Sequence, residues 1–177
     1  VIAGLLFLAV AFFAVAKAAA VRNGGQSAAD AAALAAARDD RDRFFEGFVK
    51  SVDDGDDWQS WLDLTESLDA QGCHAATDFA GRNDSSVTSC SPVVQQGDPG
   101  YAIRVETNFD TGDSIIPGTA NRTGTAEATA VVQPMCEFDA DSDDVELTCD
   151  GEEIEIDPDD DDIEVDPSEL FDVILVD

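Results

Sequence analysis

Four cysteines, one histidine and a large excess of carboxylates are the side chains of this sequence that could do chemistry. Cys73, Cys90, Cys136 and Cys149 all lie beyond an apolar N-terminal segment, on the side expected to be extracytoplasmic. An even number of cysteines in an oxidising compartment points to disulfides rather than to reactive thiols. Of the possible pairings, the sequence-local one, Cys73–Cys90 with Cys136–Cys149, closes two short loops and is the expected framework. A zinc site fits poorly, because no CxxC occurs and the one histidine, His74, sits beside Cys73. His74 also limits enzyme chemistry, since any Ser-His-Asp or Cys-His arrangement would have to use it. There is no phosphate loop, dinucleotide fingerprint or HExxH, so no catalytic residues are assigned and a non-enzyme is expected.

The carboxylates offer one further chemistry, the binding of calcium. Asp139, Asp141 and Asp143 step by two, and Asp159, Asp160, Asp161 and Asp162 follow Pro158 in the densest acidic run. Clustered carboxylates suit a hard cation, but the glycine and the distal glutamate of an EF-hand loop are missing at the required offsets. The plainer reading of both runs is a solvated loop, and no cofactor is expected beyond weak calcium binding. Asn83-Asp84-Ser85 and Asn121-Arg122-Thr123 have the form of glycosylation sequons.

The formal net charge is −30, from 39 acidic and 9 basic residues. Phosphate recognition needs a basic surface, so nucleic-acid binding is excluded. Binding to anionic lipid headgroups is disfavoured for the same reason. From Met135 onward the sequence contains no lysine or arginine. Such a surface stays soluble through self-repulsion, as in a salty habitat, or binds divalent cations.

The elements that carry these side chains begin with an apolar run. Val1 to Ala16 (VIAGLLFLAVAFFAVA) carries no side-chain charge, Lys17 interrupts, and Ala18 to Val21 continue apolar. About twenty helical residues span a bilayer core, and Lys17 near one end can snorkel to the interface. With Val1 read as a processed N-terminus, the apolar stretch is retained at the start of the mature chain. After it comes an alanine-rich segment, and alanine is the strongest helix former. The pattern predicts one long, bent or unbent helix from Val1 to about Val52; at about 1.5 Å per residue, ~50 residues extend roughly 75 Å. Gly24 and Gly25 weaken the helix and mark either a kink or melted turn or a point through which the helix simply runs on, Ser27 to Asp30 has the form of a capping box, and Phe44, Phe45 and Phe48 form an apolar edge for core packing.

The run Gln26–Ala37 (QSAADAAALAAA), directly after an apolar helix, resembles the TadE/TadG-like proteins of the Tad (tight adherence) pilus systems. The actinobacterial TadG-related proteins are similar in layout. The likeness covers about Val1 to Arg38, with weaker likeness at Cys73, Cys90, Pro117-Gly118-Thr119 and Val131 to Cys136. It implies a pilin-like structural subunit that polymerises with copies of itself into an extracellular filament. The implied assembly residues are Val1, Leu5, Phe12, Lys17 and Asp30, and residues 1–21 would sit in the membrane as a single-pass precursor before assembly. The chain departs from the type IV pilin pattern at its fifth position, where Leu5 replaces the usual glutamate. Lys17 would then need an acid from a neighbouring subunit, with Asp30, Asp39 and Asp40 the nearest candidates. The alternative function is a membrane-anchored minor pseudopilin or surface adhesion module.

The rest of the sequence reads as a small α+β domain, residues 54–177, following the helix of residues 1–53. Gly55 to Ala70 approximates helical spacing through Trp58, Trp61, Leu62, Leu64, Thr65 and Leu68, with Gly72 as its stop. Tyr101–Phe109, Gly124–Cys136, Val145–Cys149, Ile154–Asp157, Ile163–Val165 and Val173–Val176 read as strands of a small antiparallel sheet.

Overall fold

A computed structural model describes residues 2–66, 69–113, 120–139, 145–156 and 165–176. The expected α+β class holds, with a long N-terminal helix, short helices, antiparallel sheets and two disulfides. Helix α1 (Ile2–Asp54) runs unbroken for 53 residues, about 80 Å at roughly 1.5 Å per residue. Two short helices follow, α2 (Gln59–Leu62) and α3 (Gly72–Arg82). Strands β1 (Ser85–Gln95), β2 (Asp98–Asp110), β3 (Thr123–Pro134) and, at the far end of the chain, β7 (Phe171–Val176) form one antiparallel sheet in the order β1-β2-β3-β7. Strands β4 (Cys136–Phe138), β5 (Val145–Cys149) and β6 (Glu152–Ile156) form a second, smaller antiparallel sheet. One turn of helix, α4 (Pro167–Leu170), precedes β7 and is capped by Asp166, whose carboxylate accepts from the Ser168 amide while Glu169 accepts from the Asp166 amide.

The core forms where the second half of α1 lies on the larger sheet. Alternate residues of β2 (Tyr101, Ile103, Val105 and Thr107) point to one buried face, joined by Ala130 and Val132 of β3 and Phe171 of β7. Against them α1 presents Ala28, Ala29, Ala32, Ala33, Ala36 and Ala37, all fully buried. The buried stripe is wide because α1 has two neighbours here, the sheet and α3. Small side chains let all three backbones approach at native packing density. Toward the C-terminal end of α1 the gap widens and aromatics fill it. Phe44 meets Trp61 and Phe171, Phe48 meets Trp58, and Trp58 meets Phe138 of the smaller sheet, with ring centroids 5.1–6.4 Å apart.

Both disulfides pair as the sequence predicts. Cys73–Cys90 ties α3 to β1, and Cys136–Cys149 joins directly opposed residues of β4 and β5. Several local expectations are corrected. At positions 24 and 25 the helix runs on without a melted turn, and both glycines are contact points. A Cβ on Gly24 would stand 2.7 Å from the Phe109 ring, and one on Gly25 would stand 3.3 Å from Thr107 Cγ2. Ser27 to Asp30 caps nothing, because it lies inside a continuous helix; Asp30 instead accepts from Gln26 Nε2 at 2.7 Å.

The helix expected over Gly55–Ala70 shrinks to the single turn of α2, after which Leu64 adopts a positive φ of 56°. Gly72 does not stop a helix but opens α3. A Cβ there would come within 2.6 Å of the Ala36 carbonyl oxygen, so the close crossing of α1 and α3 requires glycine. The strand read at Ile163–Val165 lies mostly outside the described residues, and Val165 itself is not in a strand. Val21 to Val52 of α1 supply one side of the domain core.

Candidate functional site

The largest feature left unsatisfied by the fold is the first half of α1. From Ile2 to Ala20 the helix touches little of the domain, and the span is long and apolar enough to cross a membrane. Nine large apolar side chains there are exposed, Ile2, Leu5, Leu6, Phe7, Leu8, Val10, Phe12, Phe13 and Val15, with Phe12 at 77%. Leaving such residues in water forgoes about 1.5–3 kcal/mol each. Together they forgo roughly 14–27 kcal/mol, at least as much as the whole stability of an ordinary domain. An apolar cover is therefore demanded by magnitude alone. Its length matches a bilayer: the bare segment is about 28 Å long at roughly 1.5 Å per residue, against ~30 Å of hydrocarbon.

The assembly residues expected from sequence fall as follows. Val1 lies outside the described residues. Leu5 and Phe12 are exposed on the bare segment. Lys17 is exposed near its end, its Nζ 5.7 Å from the centroid of the Phe13 ring. Asp30 is partly buried and engaged by Gln26. Asp39 pairs with Arg43 at 3.4 Å, and Asp40 is only 7% exposed. Of the three acids named as partners for a neighbour's Lys17, Asp40 is thus sequestered inside its own subunit.

Of the calcium candidates, Asp141, Asp143, Asp159, Asp160, Asp161 and Asp162 lie outside the described residues. Asp139 follows β4. Among the described residues no group of three or more metal-ligating side chains converges.

Asp40 belongs to a buried polar node that the sequence reading missed. The Tyr101 hydroxyl donates to Asp40 Oδ1 at 3.1 Å and accepts from the Gly72 amide at 3.3 Å. The Arg43 guanidinium stands 3.6 Å from the same carboxylate oxygen and donates to the Asp69 carbonyl. Burial pushes the Asp40 carboxyl up from 3.8 to about 6, against the opposing effects of the Tyr101 hydrogen bond and the Arg43 charge. Burial and the adjoining Asp40 charge push the Tyr101 phenol up as well. The node locks α1, β2 and the start of α3 together at one point. A signal for it exists in the sequence: Asp40 continues the row Ala28, Ala32, Ala36 and precedes Phe44 and Phe48 at the same four-residue spacing, so it falls on the buried face.

No family model, no curated protein and no solved structure matches this chain.

Proposed function

We propose that this chain is the structural subunit of an extracellular, pilus-like filament that polymerises through α1. The observation that carries the reading is the division of one unbroken helix into two halves. One face of residues 21–52 is buried by their own domain, while Ile2–Ala20, apolar apart from Lys17, are left bare. A helix held rigidly by a folded head and bare over about 28 Å suits a two-stage life. It rests first in the bilayer as a membrane-held precursor, then beside identical helices in a filament core. The resemblance of Gln26–Ala37 to the TadE/TadG-like proteins supports the same reading, as do disulfides suited to an oxidising exterior. The acidic domain forms the outer surface.

The second reading is a membrane-anchored accessory or adhesion protein, favoured by the match of the bare segment to one bilayer crossing. Copy number separates the two. Surface material sheared from cells and viewed by negative stain should contain filaments built from this chain, and these should vanish on deletion of its gene. Filaments that persist in the deletion strain would sink the proposal, and a single copy per detergent micelle together with no filaments would establish the anchor.

A further inference from the structure

Strand β2 runs antiparallel to α1 and nearly along it. Tyr101 stands beside Asp40, Thr107 beside Gly25, and Phe109 on Gly24. At its far end a Cβ on Gly112 would stand 3.1 Å from Lys17 Nζ. The lengths agree: Tyr101 to Gly112 covers about 36 Å of extended chain, and Lys17 to Asp40 about 34 Å of helix. Gly124, at the start of β3, packs on Val21. The chain just beyond β2 therefore reaches past Val21, with Gly112 at the depth of Lys17, inside the apolar run. Its base is fixed by two backbone bonds, from the Thr111 amide to the Arg122 carbonyl and from the Asn121 amide to the Gly112 carbonyl.

Two further features distinguish this end of the domain. Phe109 is 38% exposed, a large aromatic beside the apolar segment. Charge is closer to balance here than in the chain as a whole: Lys17, Arg22, Arg82 and Arg122 accompany Asp78, Asp84, Glu106, Asp110 and Asp113, in a chain of 39 acids and 9 bases. The opposite end of α1 carries Asp53, Asp54, Asp56 and Asp57. An anionic headgroup layer repels that end more strongly than this one. An apolar ring such as phenylalanine can bury at the acyl boundary, and lysine and arginine cations reach to the interface beside it.

Resting on the membrane-held precursor stage proposed above, we propose that the β2–β3 end of the domain, with Phe109, Gly112 and Arg122, seats on the lipid headgroups. The domain then stands upright on the bilayer, with the β1–β2 turn near Val94 pointing away. The full chain, reconstituted in phosphatidylcholine–phosphatidylglycerol vesicles, tests this with a fluorophore on one introduced cysteine, the native disulfides being kept oxidised. The three positions are Phe12→Cys, Asp113→Cys and Val94→Cys, read against nitroxide lipids labelled at the headgroup or deep in the acyl chain. The expected result is deep-nitroxide quenching at 12, headgroup quenching at 113 severalfold above background, and none above background at 94. Quenching at 12 with equal, weak signals at 113 and 94 overturns the seated domain and leaves the membrane anchor standing. Loss of quenching at 12 overturns the anchor and the seating with it.

Discussion

Replacing Asp40 with asparagine should make the domain more stable at neutral pH, although the residue lies in the core. The folded state holds the Asp40 proton up to about pH 6, against an ordinary value of 3.8. Because the folded pKa is raised, its contribution to stability is fully present below about 3.8 and is lost as the pH climbs through about 6. A difference of about two pKa units corresponds to about 3 kcal/mol. Asparagine keeps an acceptor for the Tyr101 hydroxyl and carries no charge to desolvate. Asp40→Asn should therefore match the native chain near pH 4 and exceed it by up to ~3 kcal/mol near pH 8. For a chain of this size that is roughly 9 °C in Tm.

Thermal melts by circular dichroism, in a detergent that covers Ile2–Ala20, give the two curves across that pH range. The general repulsion of a chain of net charge −30 acts almost equally on both proteins and cancels in their difference. Tyr101→Phe provides the opposite arm. It removes the donor to the carboxylate, and a bond to a charged acceptor is worth more than one to a neutral acid, so its cost should be larger at pH 8 than at pH 4. A gap between Asp40→Asn and the native chain that does not change with pH would refute the assignment of a buried, proton-holding carboxyl.

Gly72→Ala should destabilise by about 1–3 kcal/mol, because its Cβ would meet the Ala36 carbonyl oxygen at 2.6 Å and backbone cannot swing aside. Gly81→Ala, in the same helix with nothing within 4 Å, should instead stabilise by up to ~1 kcal/mol through helix propensity; paired urea melts read both signs. Opening Cys73–Cys90, whose partners are separated by 17 residues, by Cys→Ser replacement at both positions should cost about 3 kcal/mol, seen as a lowered Tm that reductant no longer changes through this bond. Phe12→Asp should leave the melting of the domain unchanged, since the residue contacts none of it, while adding about 3 kcal/mol to the cost of membrane insertion. Fractionation of expressing cells should then find the chain shifted out of the membrane pellet and absent from filaments.

Long-period features were legible in the sequence and short-range exceptions were not. The helix over Val1 to about Val52 emerged from composition, because alanine and apolar residues sustain one propensity over many turns. The strands Tyr101–Phe109 and Val145–Cys149 emerged from alternation, and the disulfides from the shortness of the loops they close. What escaped depended on partners distant in sequence. Gly72 looks like a helix stop until Ala36 is known to lie against it. Gly24 and Gly25 look like a hinge until Phe109 and Thr107 arrive.

Strand β1 escaped for a different reason. Its Ser- and Thr-rich stretch with Pro92 carries a weak alternating signal, and an edge position tolerates a proline that a central strand would not. Helix α3 was hidden by its glycines and short length, although Gly72, Ala76 and Ala80 share one buried face. For the candidate site, the bare segment itself was plain in the sequence. How far β2 and β3 extend down beside it was not, since that follows from register rather than from residue type.

The absence of a break in α1 between Val21 and Asp40 has a mechanical consequence. Tension applied to the domain passes to the apolar segment along a single helix, with no linker to extend and absorb it. To separate head from stem, the alanine face of α1 must slide along β2 and β3 as a unit. Contacts loaded in parallel yield together rather than one by one. The Cys73–Cys90 bond lies off this line, joining α3 to β1, so it guards the flank of the domain while the alanine seam carries the load.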